Sequence, residues 1–310
     1  MILAFVSGKT RAWLLLSILV LVCGSVLFAV IFYRSRSLAP AEMLKRLPTK
    51  DSLVLAVDFA ALRRAGILQL LEGAKIDQEP DYVKFVAATD FNYAQDLDYA
   101  LASFGPTGKY ILARGRFDWK SLRTYAQAQG GDCYNELCRM PGSAPDRKIS
   151  YLPLQASTMA LAVTPDAESA LLLNGPSGGP PVPPPDAAVW LYIPPAVLKS
   201  PGSLPEGTVL FAKSVDEAKS VVLSFSPDGD HVAGKLDVMC KSDADAAVTA
   251  AELNRITDVL RKLIAQTGQR PNPADLSGVL TAGAFENKGS QVLGSWPIQR
   301  VFVQKMLSGQ

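Results

Sequence analysis

The chain has 310 residues, of which 48% are hydrophobic and 19% are charged. Its 31 basic and 29 acidic residues give a net charge of +2. A balance this even implies no partner that is a nucleic acid or another polyanion. The composition is that of an ordinary globular protein, and it predicts no nucleic-acid partner.

An uncharged run near the N-terminus predicts a transmembrane helix over residues 12–33, between a short tail at 1–11 and a juxtamembrane linker at 34–46. A helix of about 20 apolar residues crosses the hydrocarbon core of a bilayer. Trp13 and Tyr33 lie at the two ends of the run, where aromatic side chains favour the headgroup region. We therefore expect a single-pass membrane protein.

A cleaved signal peptide is the alternative, because Ser37 and Ala39 are small enough for a cleavage site. The apolar region of a signal peptide is usually about 7–15 residues long, which is shorter than this run. Arg34 and Arg36 also follow the run directly. An uncleaved signal anchor is favoured.

Lys9 and Arg11 on one side of the span are matched by basic residues on the other side, so the flanking charges leave the orientation open. The cysteines therefore decide the compartment. Cys133 and Cys138 lie in a polar stretch and are spaced to close a small disulfide-bonded loop. Disulfides persist in oxidising compartments. We expect the C-terminal part to lie outside the cytoplasm, anchored in the inner membrane. Two free thiols are the alternative.

The first folded unit is predicted over residues 47–173. Asp58 and Asp118 are placed to cap helices, the first running to about Leu71 and the second ending at Gly130-Gly131. A second short helix is marked by Tyr82, Phe85 and Val86, and a last one ends at Leu173. The predicted strands are Ser52–Val57, Asp98–Phe104, Lys109–Gly115, Ile149–Leu154 and Thr158–Val163.

A proline- and glycine-rich stretch at 174–186 is predicted to be an exposed linker, since it supports neither a helix nor a strand. A second unit follows at 187–310, with a long helix that carries Val248 and Ile264. Its predicted strands are Ala188–Ile193, Val221–Phe225, His231–Cys240, Ser277–Phe285 and Ser290–Gly294, and a terminal helix is expected from Pro297.

Similar element orders in the two units, offset by about 120–130 residues, predict a duplicated module. Hairpins joined to helices are typical of the α+β class, with antiparallel sheets and helices packed on one face. The opposite face then needs a cover. Either the two sheets stack against each other, or an exposed sheet face serves as a surface for a partner.

Two segments carry a family resemblance. Leu47–Asp58 has the sequence LPTKDSLVLAVD, and Arg114–Trp119 has the sequence RGRFDW. Together with the single anchor, they resemble uncharacterised bacterial envelope proteins. The resemblance implies a membrane-anchored envelope protein, and it carries over no activity, cofactor or catalytic residue.

Catalytic and metal-binding signatures are weak. His231 is the single histidine, which excludes multi-histidine metal sites, and the sequence names no nucleophile partnered with it. Asp96 and Asp98 form the best local carboxylate pair, but this pattern is more typical of a solvated turn. The sequence predicts no catalytic, cofactor or metal site.

The densest basic cluster surrounds Trp119 and comprises Arg114, Arg116, Lys120 and Arg123. It would suit an anionic lipid headgroup or an acidic partner. The structural alternative places Trp119 in the apolar pattern of its helix and the arginines at a strand edge, where charge prevents aggregation.

Two classes of function follow. The favoured one is a membrane-tethered, non-enzymatic binding or assembly protein of the bacterial cell envelope, with another envelope protein as its partner. The alternative is an envelope hydrolase that uses carboxylates or serines. A concave pocket with convergent acidic or nucleophilic side chains would favour the hydrolase.

Overall fold

A computed structural model describes residues 21, 38–71, 80–178, 183–199, 209–266, 268 and 270–308. Its helices are α1 (Pro40–Arg46), α2 (Phe59–Arg64), α3 (Pro80–Thr89), α4 (Tyr93–Asp96), α5 (Trp119–Ala128), α6 (Pro195–Leu198), α7 (Val209–Ser214), α8 (Asp243–Gln266), α9 (Leu276–Ala282) and α10 (Arg300–Ser308). Two 3₁₀ helices span Leu68–Leu71 and Ser169–Asn174.

The strands are β1 (Leu53–Val57), β2 (Leu97–Gly105), β3 (Gly108–Gly115), β4 (Asp132–Tyr134), β5 (Leu137–Pro141), β6 (Lys148–Gln155), β7 (Thr158–Thr164), β8 (Val189–Ile193), β9 (Ser220–Asp228), β10 (His231–Met239), β11 (Ala284–Lys288) and β12 (Gln291–Gln299). They form one 12-stranded sheet in the order β11-β12-β10-β9-β8-β1-β2-β3-β7-β6-β5-β4. The protein therefore has the predicted mixture of helices and antiparallel sheet.

Strands β1 and β8 pair at the centre of the sheet and join its two halves. Their register sets Val54 opposite Tyr192 and Val57 opposite Val189. The N-terminal half extends from β1 through β2 to β4, and the C-terminal half extends from β8 through β9 to β11. Both predicted modules thus contribute to one continuous sheet.

Successive strand residues point to opposite faces of the sheet, so the register divides the side chains into two sets. One face is called here the α1 face. In the N-terminal half it buries Leu101 and Leu112 beneath Met43 of α1 and Leu47, which follows α1. The 3₁₀ helix Ser169–Asn174 adds to the same cover. The α1 face of this half is therefore closed.

The opposite face, called here the α8 face, carries further helices in both halves. Leu122 of α5 packs against Tyr151 and Met159 in the N-terminal half. Leu253 of the 24-residue α8 packs with Val238 in the C-terminal half. Helices thus cover both faces of the N-terminal half, which corrects the prediction that they pack on one face. The missed cover is α1, where a linker was predicted.

Helix α1 forms within the segment predicted as the juxtamembrane linker. Pro40 occupies its first turn, where a missing N–H is tolerated and the fixed φ favours a helix. Met43 and Leu44 are buried against the sheet, so tertiary packing stabilises a helix of only seven residues.

Two predictions in the C-terminal half are wrong. The segment predicted as the strand Ser277–Phe285 begins as α9, because the Asp275 side chain accepts a hydrogen bond of 2.8 Å from the Ser277 N–H. The terminal helix begins at Arg300 rather than at Pro297. Pairing with β10 continues to Gln299 opposite His231, and this keeps Pro297 in the strand.

Several predicted elements of the N-terminal half are confirmed. The Asp58 side chain accepts a hydrogen bond of 2.7 Å from the Ala61 N–H and caps α2. That helix ends at Arg64 rather than Leu71, and Gly66 follows with φ of +69°. The hairpin of β2 and β3 closes at Gly105 and Gly108, as predicted.

Within the part of the chain that the structure describes, no helix is both long and apolar enough to cross a membrane. The predicted span at residues 12–33 lies, apart from Leu21, outside the described residues. The membrane anchor therefore stays a prediction.

Candidate binding groove on the open sheet face

On the α1 face, the outer strands β10, β12 and β11 have no helical cover among the described residues, and with β9 they form a wide groove. Its volume is about 990 Å³. By register, Val222 and Asp237 on neighbouring strands share this face, and Asp237 lies opposite Leu293 on β12. Leu293 in turn lies opposite Glu286 on the edge strand β11. We call this surface the open groove.

The floor and rim of the open groove differ in chemistry. Val222 and Ser224 of β9 are buried in its floor. Lys235 and Glu286 are exposed within it, and Pro183–Pro185 lines one side. The groove therefore combines apolar surface with charged groups of both signs.

Asp237 is a partly buried acid of the groove. Partial burial raises the pKa of its carboxyl, because desolvation disfavours the charged form. Among the described residues, no ion pair involves Asp237, Lys235 or Glu286. Asp237 and Glu286 are two strands apart, or about 10 Å at the usual strand spacing. All three groups line the open groove.

The predicted linker begins with backbone contacts to α1. The Ser177 N–H donates a hydrogen bond of 2.7 Å to the Lys45 carbonyl, and the Arg46 guanidinium donates one of 2.6 Å to the Asn174 carbonyl. Pro183–Pro185 then lies at the groove. The described start of this segment is therefore held against α1, and its described end lines the open groove.

Cys133 and Cys138 form the predicted disulfide. They occupy directly opposed positions of the β4–β5 hairpin. Asn135 and Glu136 make its turn with φ of 45° and 71°, the left-handed conformation that two-residue hairpin turns require. The segment that was predicted as a loop is thus a short hairpin closed by a covalent bond. Cys240 is free and buried, and burial raises the pKa of its thiol.

The structure separates the members of the predicted basic cluster. Arg114 lies above the Tyr99 ring, 5.7 Å from its centroid. Arg116 forms an ion pair of 2.9 Å with Asp96. Lys120 and Arg123 are exposed on α5, on the side of the sheet opposite Arg114. The two arginines of the strand end are therefore engaged within the chain, whereas the two cations of α5 face solvent.

The remaining polar candidates make separate local contacts. Asp98 is 3.6 Å from the Arg63 guanidinium, while Asp96 pairs with Arg116. His231 begins β10 opposite Asp228, beside the turn at Gly229. No cluster of three metal-ligating side chains occurs in the described ranges.

Sequence reasoning left open an exposed sheet face for a partner but did not locate the open groove, although a signal was present. In β10, Lys235 and Asp237 alternate with the buried Leu236 and Val238. This alternation is typical of a strand with one buried and one solvated face. It does not reveal that three neighbouring strands place their polar sides together, because strand order is a tertiary property.

Comparison with known proteins finds a distant likeness in fold. No family model and no curated protein matches the chain. Crystal form I of TP0453 has a TM-score of 0.50 and 10% identity, and the match covers 89% of this chain and 99% of that one. Crystal form III has a TM-score of 0.49 and 12% identity, and its match covers 88% and 99%. At such identities the likeness shows the fold alone, a mixture of helices and antiparallel sheet.

Proposed function

We propose that this protein is a membrane-tethered, non-enzymatic binding protein of the bacterial cell envelope, and that the open groove is its binding surface. The observation that carries the proposal is the contrast between the closed and open halves of the α1 face. Leu112 is completely buried in the N-terminal half. Leu293 and Lys235 remain accessible in the C-terminal half. A large concave surface with a few placed polar groups is the usual form of a binding site.

The chemistry of the groove indicates a protein segment as its occupant. Val222 and Leu293 provide apolar surface, while Lys235, Asp237 and Glu286 provide one positive and two negative charges. Charge complementarity of this kind contributes mainly specificity and fast association. The expected partner presents apolar side chains flanked by charges of both signs.

The membrane tether is part of the proposal. The uncharged run at residues 12–33 supports it, and the Cys133–Cys138 disulfide supports placement of the domain in an oxidising compartment. The test is extraction of membranes with alkaline carbonate. A full chain that stays in the pellet with its N-terminus attached agrees with the tether, whereas a soluble chain that begins at Pro40 contradicts it.

Binding is tested with a photo-crosslinking amino acid placed at Leu293 of the full chain in intact membranes. The expected result is one discrete protein adduct whose crosslinked peptide, identified by mass spectrometry, has apolar side chains between charges. The same amino acid at Val248, an exposed position of α8 away from the groove, is the matched control.

A second variant makes the binding test specific. Lys235→Glu replaces the exposed cation of the groove, and we expect the Leu293 adduct to fall at least fivefold. An adduct that forms equally at Leu293 and Val248, or that ignores Lys235→Glu, would show that the groove is not the binding surface.

An envelope hydrolase is the second candidate, because the groove holds two carboxyl groups, Asp237 and Glu286, and partial burial raises the pKa of Asp237. A carboxyl that retains its proton at higher pH suits general acid catalysis. Asp237→Asn would then abolish cleavage of envelope peptides or glycans by the purified chain. If the wild-type chain cleaves neither class of substrate, the hydrolase is excluded and the binding function remains.

A further inference from the structure

A second cavity lies in the N-terminal half, on the α8 face between α3, α5 and the sheet. Its volume is about 350 Å³. Ligand pockets in proteins typically enclose about 300–1,000 Å³. Every side chain that lines it is apolar or aromatic, so its chemistry contrasts with that of the open groove.

Aromatic rings form one wall of the cavity. Phe85 of α3 makes edge-to-face contacts with Phe91 and with Tyr125 of α5, at centroid distances of 5.8 and 5.2 Å. Phe91 stacks on Phe117 at 5.8 Å. Such contacts fix the rings to one another, so this wall is preorganised around the space rather than collapsed into it.

The floor of the cavity comes from the strands. Ala113 of β3 lies opposite Met159 of β7, and Leu161 of β7 lies opposite Tyr151 of β6. Ala113 is the smallest of these side chains and leaves room above the sheet. Met159 is long and unbranched, and such side chains adapt to ligands of varied shape.

The hydroxyl of Tyr151 is satisfied within the protein. It donates a buried hydrogen bond of 2.6 Å to the Leu122 carbonyl. The cavity therefore offers little to a polar group, and a polar ligand would lose its hydrogen bonds to water without replacement. The favoured occupant is a flexible apolar chain.

We propose that this cavity binds an acyl chain, supplied either by a lipid of the adjoining membrane or by a free fatty acid. The proposal rests on the proposed membrane tether only for the source of the chain. Each CH₂ group that moves from water into the cavity adds to the binding free energy. A chain of several carbons thus gains enough to bind without any polar contact.

The test uses the full chain reconstituted in phosphatidylcholine vesicles with a photoactivatable diazirine on an acyl chain. One sample carries the diazirine on a phospholipid and the other on a free fatty acid. We expect labelling of peptides that contain Phe91, Met140 or Met159 in at least one sample. Labelling from the phospholipid assigns the chain to the membrane, and labelling from the fatty acid alone assigns it to a free ligand.

Filling the cavity should prevent this labelling. Ala113→Trp places an indole on the cavity floor, and we expect at least a fivefold loss of label on these peptides. Ala128→Trp, at the exposed end of α5, is the matched control and should retain the label. Met140→Trp, at a partly exposed lining position, fills the same space and provides a second variant if Ala113→Trp does not fold.

The proposal is overturned if the cavity peptides stay unlabelled in both samples, or if a folded cavity-filling variant is labelled like the wild-type chain. This outcome is separate from failure of the proposed binding function. Crosslinking at Leu293 reports the opposite face of the C-terminal half, and it should be the same in Ala113→Trp as in the wild-type chain.

Discussion

The two halves of the α1 face have the same strand geometry and different surfaces. The N-terminal half buries Leu101, Leu112 and Ala160 beneath α1 and the 3₁₀ helix that follows β7. At comparable positions the C-terminal half has Lys235 and Asp237, and no helix among the described residues covers them. A sheet face is closed where its outward residues are apolar, and polar residues keep it open to solvent.

This contrast also shows how a short helix obtains its stability. Seven residues are too few for an isolated helix in water. Met43 and Leu47 are completely buried, and the Lys45 carbonyl accepts a hydrogen bond from the Ser177 N–H. Packing on the sheet and contact with the linker therefore define α1 more than its own sequence does.

The largest expected effect compares two leucines on the same face. Leu112→Ala leaves a cavity in the closed half and should lower the free energy of unfolding by about 3 kcal/mol. Leu293→Ala, in the open half, should cost under about 1 kcal/mol because water already reaches this side chain. Denaturant unfolding of the full chain in lipid nanodiscs measures both. Equal losses would mean that Leu293 is covered in solution.

Removal of the disulfide should have a smaller effect. Replacing both Cys133 and Cys138 with serine is expected to cost about 2 kcal/mol, since the closed loop is short and little chain entropy is removed from the unfolded state. The hairpin of β4 and β5 lies at the edge of the sheet, so hydrogen exchange should accelerate there and remain unchanged in β1. Uniform acceleration throughout the sheet would contradict this local role.

Tyr151→Phe should cost about 1 kcal/mol at neutral pH, because it removes the hydrogen bond to the Leu122 carbonyl. Burial raises the pKa of Tyr151 from 10.0 to about 12. Since the folded-state pKa is the higher one, this stabilisation is complete below pH 10 and is lost as the pH rises from 10 to 12. Between pH 8 and pH 11, the free energy of unfolding measured with urea should therefore fall less in the variant than in the wild-type chain.

The smallest expected effect concerns Asp237 in the open groove. Burial raises the pKa of its carboxyl above the ordinary 3.8, so its ionisation destabilises the folded state at neutral pH. Asp237→Asn should therefore slightly raise the midpoint of thermal unfolding at pH 7. The difference should shrink as the pH falls through the raised pKa toward 3.8. A lower midpoint at pH 7 would indicate that the carboxylate accepts a stabilising contact.

Local signals predicted much of the fold. The caps Asp58 and Asp118 and the hairpin at Gly105–Gly108 depend on neighbouring residues, and all three are confirmed. The close spacing of Cys133 and Cys138 in a polar stretch also predicts the disulfide, and the structure confirms it. Interactions between residues that are close in the sequence can be recognised from the sequence alone.

Elements that depend on distant partners were missed. Helix α1 needs the sheet beneath it, and β12 continues through Pro297 because β10 continues beside it. The open groove and the apolar cavity are likewise assembled from several elements. Phe85, Phe117 and Met159 are ordinary core residues when each is considered alone, and their common cavity is visible only in the folded chain.

The central pairing of β1 with β8 also affects the timing of folding during synthesis. Strand β1 is synthesised early, and β2 can pair with it soon afterwards. Its other neighbour is β8, which is synthesised much later. Trp190 and Tyr192 of β8 complete the core around Val54. At about 5–20 residues per second, synthesis from Val57 to Val189 takes on the order of 10 s. During that interval the outer edge of β1 lacks its partner, and unpaired strand edges promote aggregation. We therefore expect nascent chains that end before β8 to require chaperone protection, and chains that extend beyond it to be released from that requirement.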